Sequence, residues 1–235
     1  MKYKILFFAI FLIYSCNNKN LISEDSEITK YDEIVNDIDG NQYNTVKIGE
    51  KIWLASNLKT TKFSNGDKIP NLKDDKSWIN TEGPAYCLFD NSITNFEFGS
   101  LYNLMAIIDK RNVCPQGWHV PSLKEWEKWE GTRWNNWDAN MKKLFNNKIL
   151  GWRDISDTHR KNTKFSSFYS ETEFDNGDCI YWTSTSYMDE NYDTKNSKDS
   201  IMSGNITSSG ELGTGNWGLK NQGYSCRCVK DTIKK

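Results

Sequence analysis

The sequence predicts an α+β domain with short antiparallel strands, two to three helices and long loops. Short runs that alternate apolar and polar residues recur along the chain, and long irregular polar segments connect them. Only two or three segments carry helical spacing. These segments do not alternate regularly with strands, as the helices of a parallel α/β sheet would.

The first sixteen residues have the features of a signal peptide. Lys2 and Lys4 flank the start of an apolar stretch, Ile5–Tyr14, that is too short to span a bilayer. The stretch is followed by Ser15 and Cys16, which resemble the lipobox of bacterial lipoproteins. We therefore expect Cys16 to be acylated, with palmitate among its lipids, and to anchor the protein to a membrane.

The segment 17–36 is expected to be a flexible tether, because its polar composition buries too little apolar surface to order it. Residues 17–20 lack the acidic run that resembles a surface-export signal of Bacteroidetes-type bacteria. The expected location is the bacterial outer membrane, with the periplasmic face favoured over the cell surface. One domain, 37–231, and a short tail, 232–235, follow.

The charge balance argues against one class of partner. The chain carries 30 Lys and Arg residues and 31 Asp and Glu residues, and no basic stripe occurs. Because nucleic-acid binding leaves a basic patch or stripe in a sequence, we expect no nucleic acid as a partner.

The first elements of the domain are predicted to form a β-hairpin. Gln42–Ile48 has β-branched alternation, Gly49 allows a turn, and Lys51–Asn57 supplies the second strand. Further along, Leu and Ile residues at helical spacing predict a helix over Phe98–Asp109.

The densest local signal lies in Cys114–Trp126. Its Cys-Pro pair ends the preceding helix, since proline disfavours helical backbone in the residue before it. Gly117 permits a turn, and Trp118–Val120 alternates like a short strand. Ser122 and Glu125 form an S-x-x-E capping box, which predicts the start of a second helix.

The last third of the domain is predicted to hold short strands and long loops. A third helix is expected at Asp138–Phe145, and residues 163–178 read as a polar loop. Strands are expected at Ile180–Thr185, Ile201–Ile206 and Tyr224–Val229.

Several motifs resemble those of one family and occur in the same order. They are Asp39–Asn41, Val46–Gly49, Trp53–Thr60, Pro84–Cys87, Gly99–Asn103, Cys114–Ser122, Tyr181–Thr185 and Arg227–Asp231. Through them residues 37–231 resemble the Fibrobacter succinogenes major paralogous domain. The resemblance implies a C-type-lectin-like fold, related also to the fold of the formylglycine-generating enzyme.

The chain has six cysteines, and five remain once Cys16 is lipidated. An odd number in an oxidising compartment predicts disulfides with one thiol left free. In a regular strand Cys226 and Cys228 would point to opposite faces and could not hold one zinc ion together.

The resemblance implies that Cys114 and Cys228 form the disulfide that closes the domain. We expect a second disulfide between Cys179 and Cys226, because both cysteines stand outside the family pattern. Cys87 is then the free thiol. The alternative pairs Cys87 with Cys179 or with Cys226.

Tryptophans are the main candidates for ligand contacts. Trp134, Trp137 and Trp152, with Arg153, stand among polar residues and are the candidates for an exposed binding platform. Four other tryptophans are expected to pack in the core: Trp53, Trp118, Trp126 and Trp182.

We expect no cofactor and no standard calcium–sugar site. The Glu-Pro-Asn, Gln-Pro-Asp and Trp-Asn-Asp triplets of calcium-dependent lectins do not occur. The oxygen-rich loop with Asp189, Glu190 and Asp193 is a weak calcium candidate. A solvated acidic loop is the alternative.

No catalytic residue is predicted. His119, between Trp118 and Val120, is expected to be structural and His159, in a polar stretch, to face solvent, so triad chemistry has no support. The expected function is non-enzymatic recognition of a glycan or an envelope protein, through loops between about Trp134 and Glu173 and between Met188 and Leu219. The alternatives are a purely structural envelope protein and an enzyme related to the formylglycine-generating fold.

Overall fold

The computed structural model describes residues 28–130, 151–155, 163–166, 179–185, 200–206 and 212–232. Within these ranges short helices accompany antiparallel sheets, which confirms the α+β class. The α-helices are α1 (Asp75–Asn80), α2 (Leu104–Ile107) and α3 (Leu123–Glu130), and Phe89–Asn91 and Ile93–Phe98 form short 3₁₀ helices. The strands are β1 (Ile28–Asn36), β2 (Gln42–Ile48), β3 (Lys51–Leu54), β4 (Tyr86–Cys87), β5 (Leu101–Tyr102), β6 (Trp118–His119), β7 (Trp152–Ile155), β8 (Thr163–Ser166), β9 (Cys179–Trp182), β10 (Ser200–Ile206), β11 (Leu212–Leu219) and β12 (Val229–Lys230).

The largest sheet among the described residues has the strand order β1-β2-β3-β12-β6, with every neighbouring pair antiparallel. Strand β12 lies between β3 and β6, where Val229 pairs with both Trp53 and His119. A three-stranded sheet, β11-β10-β9, and two small pairs, β4-β5 and β7-β8, complete the described strands. The end of the domain is thus fixed beside its first hairpin.

The predicted tether is too long at its C-terminal end. Ile28–Asn36 form β1, which pairs with β2, so the ordered domain begins before residue 37. The composition suggested disorder because polar residues dominate. Pairing with β2 supplies backbone hydrogen bonds that a tether would lack.

The predicted hairpin is confirmed. Strand β2 has the predicted bounds, and Val46, which is fully buried, pairs with Trp53 of β3. Tyr43 is also fully buried, and its hydroxyl donates to Asp37 Oδ2 at 2.6 Å.

The helix predicted over Phe98–Asp109 is shortened to α2. Gly99 has φ +106°, and a Cβ there would lie 2.5 Å from Cβ of Asn57, so this position needs glycine. Leu101–Tyr102 then pair as strand β5. Asn103 begins α2, because its side chain accepts a hydrogen bond from the Ala106 amide at 3.0 Å.

The predicted capping box is confirmed at the start of α3. The Glu125 amide donates to Ser122 Oγ at 3.3 Å, and Glu125 Oε2 accepts from the Ser122 amide at 2.9 Å. These two reciprocal bonds satisfy amide groups that the helix itself leaves without partners.

Several predictions for the last third differ from the structure. Leu212–Leu219, expected in a loop, form β11, and the strand predicted at Ile180–Thr185 is β9, which ends at Trp182. Thr163–Ser166, expected in a loop, form β8 and pair with β7. The strand predicted at Tyr224–Val229 consists of isolated bridges at residues 223–225 followed by β12. Residues 226–228 therefore lie outside regular strand, and alternation across a strand does not apply to them.

The core packs between the main sheet and the segments that follow it. The four tryptophans expected there, Trp53, Trp118, Trp126 and Trp182, are all buried. Trp126 contacts Trp53 and Tyr181, with ring centroids 5.0 and 5.3 Å apart. In the part of the chain that the structure describes, no helix is long and apolar enough to cross a membrane. The helix expected at Asp138–Phe145 lies outside the described residues.

Candidate functional site

The turn after Cys114 brings a disulfide, a histidine cluster and a surface cleft to one side of the main sheet. Pro115 and Gly117 build this turn, which leads directly into β6 and then α3. The amide of Asp231 donates to the Gly117 carbonyl at 2.9 Å, so the chain end is attached to the same turn.

The predicted disulfide between Cys114 and Cys228 is confirmed. The sulfur atoms lie 2.07 Å apart and the two Cα atoms 5.9 Å apart, and 114 residues separate the cysteines in sequence. The bond connects the turn before β6 with the residue before β12. Because it closes so long a loop, it restricts the unfolded chain strongly.

The predicted pairing of Cys179 with Cys226 is wrong, because Cys226 is a free, buried thiol. The alternative pairings of Cys87 are wrong as well, since Cys87 is also free and buried. The side chain of Cys179 lies outside the described part of the structure. The predicted pairing rests on the fact that both cysteines stand outside the family pattern. That fact says nothing about the distance between their sulfur atoms.

Cys226 lies next to the disulfide. The sulfur atoms of Cys114, Cys226 and Cys228 all lie within 4.8 Å of one another. The argument that Cys226 and Cys228 point to opposite faces is therefore wrong, because no regular strand spans residues 226–228. Three thiolates at this spacing could hold a soft metal ion, but the disulfide uses two of the three sulfur atoms.

The two free thiols are poor nucleophiles at neutral pH. Burial raises the pKa of Cys226 well above its usual range and that of Cys87 to about 12. Since the thiolate is the reactive form, attack by either sulfur on a substrate is slow.

His119 lies between two carboxylates. Its Nδ1 is 2.5 Å from Asp231 Oδ1 and its Nε2 is 3.2 Å from Glu125 Oε2, while Lys51 Nζ pairs with Glu125 Oε1 at 3.0 Å. The hydrogen bond to Glu125 raises the pKa of His119; burial opposes this shift and the bond to Asp231 supports it. The cluster ties β6, α3 and the chain end together.

Glu125 serves both the cluster and the capping box. Its burial opposes ionisation, but hydrogen bonds from His119, Ser122 and Lys51 outweigh burial and hold its pKa well below the usual range. A carboxylate with so many donors is poorly suited to take up a proton, so the arrangement favours a structural role.

A surface cleft of about 170 Å³ opens beside the disulfide. Its walls come from residues 36–38 and 113–116, together with Ser64. Asn36 and Gln116 are exposed, and 47% of Ile38 is exposed. The sequence contained one pointer to this site, the Cys-Pro-Gln-Gly turn, but nothing indicated that the residues before β2 lie against it.

Two of the predicted platform residues are not exposed. Trp152 is 8% exposed and Arg153 is fully buried, so neither can form the surface platform that the polar neighbours suggested. Arg153 donates to the carbonyl oxygens of Leu72 and Lys73 at 2.9 and 3.1 Å and to Asp75 Oδ1 at 3.0 Å. These partners, far away in sequence, offset the cost of burying its charge.

The remaining predicted site residues lie outside the described part of the chain. They are Cys16, the platform residues Trp134 and Trp137, and the calcium candidates Asp189, Glu190 and Asp193.

Comparison with known proteins identifies the family. The model of the Fibrobacter succinogenes major domain matches residues 46–230, which is most of the chain, so the protein belongs to this family and the suspected resemblance is confirmed. No curated protein and no solved structure matched the chain.

Proposed function

We propose that this protein is a lipid-anchored cell-envelope protein whose C-type-lectin-like domain recognises a glycan or a protein. The observation that carries the proposal is the cleft beside the disulfide, in which exposed polar and apolar side chains converge on a cross-linked scaffold. Such variable surface loops on rigid scaffolds are common sites of binding.

The lining of the cleft suits a small, mixed-polarity group. Asn36 and Gln116 offer amide donors and acceptors, while Ile38 and Pro115 offer apolar surface. Pockets for drug-sized ligands usually measure about 300–1,000 Å³. The smaller cleft here suits a single sugar ring or one amino-acid side chain.

Local order supports the lectin-like assignment. A cysteine, a short strand and a capped helix follow one another at residues 114–130, and the disulfide returns to the last strand. This order resembles that of C-type lectins. In the proposal, Trp134 and Trp137 extend the binding surface, and Asp189, Glu190 and Asp193 are where calcium would bind.

Anchoring follows from the first residues of the chain. In the proposal Cys16 is acylated and holds the protein in the bacterial outer membrane, on its periplasmic face. Metabolic labelling with an alkyne fatty acid tests this step. We expect labelled full-length protein and no label on Cys16→Ser; labelling of both would contradict the anchor.

A non-enzymatic role is supported by the state of the described thiols and of the histidine. Burial keeps Cys226 and Cys87 protonated at neutral pH, and both nitrogens of His119 contact carboxylates. The second candidate, an enzyme with cysteine chemistry, is favoured by one observation, since free Cys226 lies beside Cys114, which lines the cleft.

The test uses full-length protein in detergent on an array of glycans and bacterial polysaccharides, with calcium and then with chelator. Ile38→Ala removes apolar surface from the cleft and should weaken binding about tenfold. Ile93→Ala is the matched control, because Ile93 is 76% exposed and does not line the cleft.

Each outcome of this experiment separates one part of the proposal from another. Equal binding by Ile38→Ala and the parent protein would contradict the cleft as the site. Loss of binding in Trp134→Ala or Trp137→Ala would place part of the site on the loops, and loss with chelator would implicate calcium. No binding to any glycan would favour a protein partner or a structural role.

A further inference from the structure

Cys226 is a free thiol beside a disulfide to which it does not belong. Its sulfur lies within 4.8 Å of the sulfur atoms of both Cys114 and Cys228. All three cysteines are fully buried, and the Cys226 thiol donates to the carbonyl oxygen of Arg227 at 3.4 Å. The cluster therefore holds one disulfide and one spare sulfur at a single buried point.

The backbone at each of the three cysteines is held by a hydrogen bond of its own. The carbonyl oxygens of Cys226 and Cys228 accept from the amides of Leu58 and Leu54 at 2.9 and 3.0 Å. The Cys114 amide donates to the side chain of Asn112 at 3.0 Å. The three sulfur atoms therefore lie close together on backbone that hydrogen bonds hold in place.

We propose that Cys226 is an alternative partner of Cys114, so that the disulfide of this domain exists as two isomers, Cys114–Cys228 and Cys114–Cys226. The observed bond joins cysteines 114 residues apart, and Cys226 is only two residues closer. Because closure entropy varies slowly with loop length, both isomers restrict the unfolded chain almost equally.

The exchange needs no oxidant or reductant. The thiolate of Cys226 attacks Sγ of Cys114, so that the Cys114–Cys226 bond forms and the Cys114–Cys228 bond breaks. Cys228 leaves as a thiolate and takes up the proton that Cys226 released. One disulfide and one thiol are present before and after the step.

Burial sets the rate of this exchange. Because it raises the pKa of the Cys226 thiol, little thiolate is present at neutral pH and the isomers interconvert slowly. Exchange should become faster as the pH rises. Cys226 thus provides a second way of closing the same loop when Cys228 is lost or oxidised.

The test is a map of disulfide-linked peptides. Full-length wild-type protein and Cys228→Ala are exported to an oxidising periplasm, alkylated without reduction and digested with trypsin. Cleavage after Arg111, Lys124, Lys220, Arg227 and Lys230 places Cys114, Cys226 and Cys228 in three separate peptides, 112–124, 221–227 and 228–230. The mass linked to peptide 112–124 identifies the isomer.

We expect most folded Cys228→Ala molecules to link peptide 112–124 to peptide 221–227. Alkylation of both Cys114 and Cys226 in folded Cys228→Ala, or a link from Cys114 to Cys179, would overturn the proposal. Cys87, which is buried, free and not among the three clustered sulfur atoms, is the internal control and should be alkylated only after unfolding.

A second measurement covers the case in which Cys228→Ala does not fold. Wild-type protein is held at pH 9 without oxidant, quenched in acid and mapped at intervals. The link between peptides 112–124 and 221–227 should increase with time and be absent from Cys226→Ala. A wild-type protein that never forms this link would overturn the proposal.

Discussion

Two sides of the domain each join a late segment of the chain to an early one, by different physical means. On the disulfide side, a covalent bond joins Cys228 to Cys114, and ion pairs around His119 lie at the surface. On the arginine side, Arg153 of β7 is fully buried and joins residues 72–75 through hydrogen bonds to two carbonyl oxygens and an ion pair with Asp75.

The two connections stabilise the domain by acting on different states of the chain. The disulfide stabilises mainly by restricting the unfolded chain, so its effect depends on loop length. Arg153 acts in the folded state, where its guanidinium stacks 4.5 Å from the Trp78 ring centre and supplies donors to two carbonyl oxygens. Removing it takes the guanidinium donor away from the carbonyl oxygen of Leu72.

The largest effect should come from removing the covalent connection. Cys114→Ala eliminates both proposed disulfide isomers and should lower the free energy of unfolding by about 4–5 kcal/mol in the chain-entropy model. Urea denaturation of the non-reduced protein measures it. Cys87→Ala, which removes a buried cysteine without a disulfide, is the control and should lose much less.

Removing the buried guanidinium should have the next largest effect. Arg153→Ala removes the donor of the Leu72 carbonyl oxygen, leaves the Lys73 carbonyl oxygen with Asn91 as its remaining donor, and opens a cavity beside Trp78. Together these changes should cost about 3 kcal/mol. The control is Arg111→Ala. Arg111 forms ion pairs with Asp67 and Asp109, but its side chain is 33% exposed and solvent can replace these partners.

The melting temperatures of the two arginine variants give the comparison. Arg153→Ala should melt far below the parent protein and Arg111→Ala close to it. Equal shifts in both variants would show that Arg153 is no more important than a surface arginine and would remove the contrast between the two sides.

The surface cluster on the disulfide side predicts a loss of stability at both alkaline and acid pH. On the arginine side, hydrogen bonds that outweigh burial lower the pKa of Asp75 and predict a loss on acidification. The pKa of His119 is raised, so its contribution to stability is complete below about pH 6.5 and is lost as pH rises through the folded pKa. The pKa of Glu125 is lowered, so its contribution is complete above about pH 4.5 and is lost on acidification. Between these values both contributions are complete.

His119→Gln isolates the histidine part of this effect. The difference in melting temperature between the parent protein and His119→Gln should be larger at pH 5.5 than at pH 8.5. The charged groups facing His119 are Asp231 and Glu125, and Lys51 faces Glu125 from β3. A difference that does not change with pH would mean that His119 acts through packing alone.

The two sides also differ in how much of them the sequence could predict. On the disulfide side the sequence patterns are local. The hairpin strand Gln42–Ile48 and the capping box of Ser122 and Glu125 are each predicted from a few neighbouring residues. The disulfide came from the family resemblance. The cleft was not predicted, because residues 36–38 reach it only through the fold.

On the arginine side the decisive contacts are distant in sequence. Arg153 and Asp75 are 78 residues apart, and polar neighbours along the chain made Arg153 read as exposed. The position of Cys226 was mispredicted for a related reason, since its alternation with Cys228 assumed a regular strand that residues 226–228 do not form. Local patterns predicted β2 and the start of α3 but not β1 or β8, which depend on pairing with other strands, and packing decides which charges and thiols become buried.

The smallest effect compares the helix starts on the two sides. Ser122 caps α3 and exchanges three hydrogen bonds with Glu125, while Asp74 caps α1 by accepting from the Ser77 amide at 2.8 Å. Ser122→Ala should cost about 1 kcal/mol, because the Glu125 amide loses the hydroxyl acceptor and keeps the Ser122 carbonyl oxygen. It should also remove one of the donors to the Glu125 carboxylate. Ser122→Thr keeps the hydroxyl and should restore most of the loss.

Asp74→Ala should have a smaller effect, since Asp74 is exposed and water can replace it at the end of a six-residue helix. Urea denaturation of Ser122→Ala, Ser122→Thr and Asp74→Ala at pH 5.5 measures how much free energy of unfolding each variant loses. If Ser122→Ala and Ser122→Thr lose equal stability, the cap contributes nothing through its hydroxyl and Glu125 alone holds the start of α3. In that case the Glu125 carboxylate joins α3 to His119, and the stability of the disulfide side depends on charge more than on helix capping.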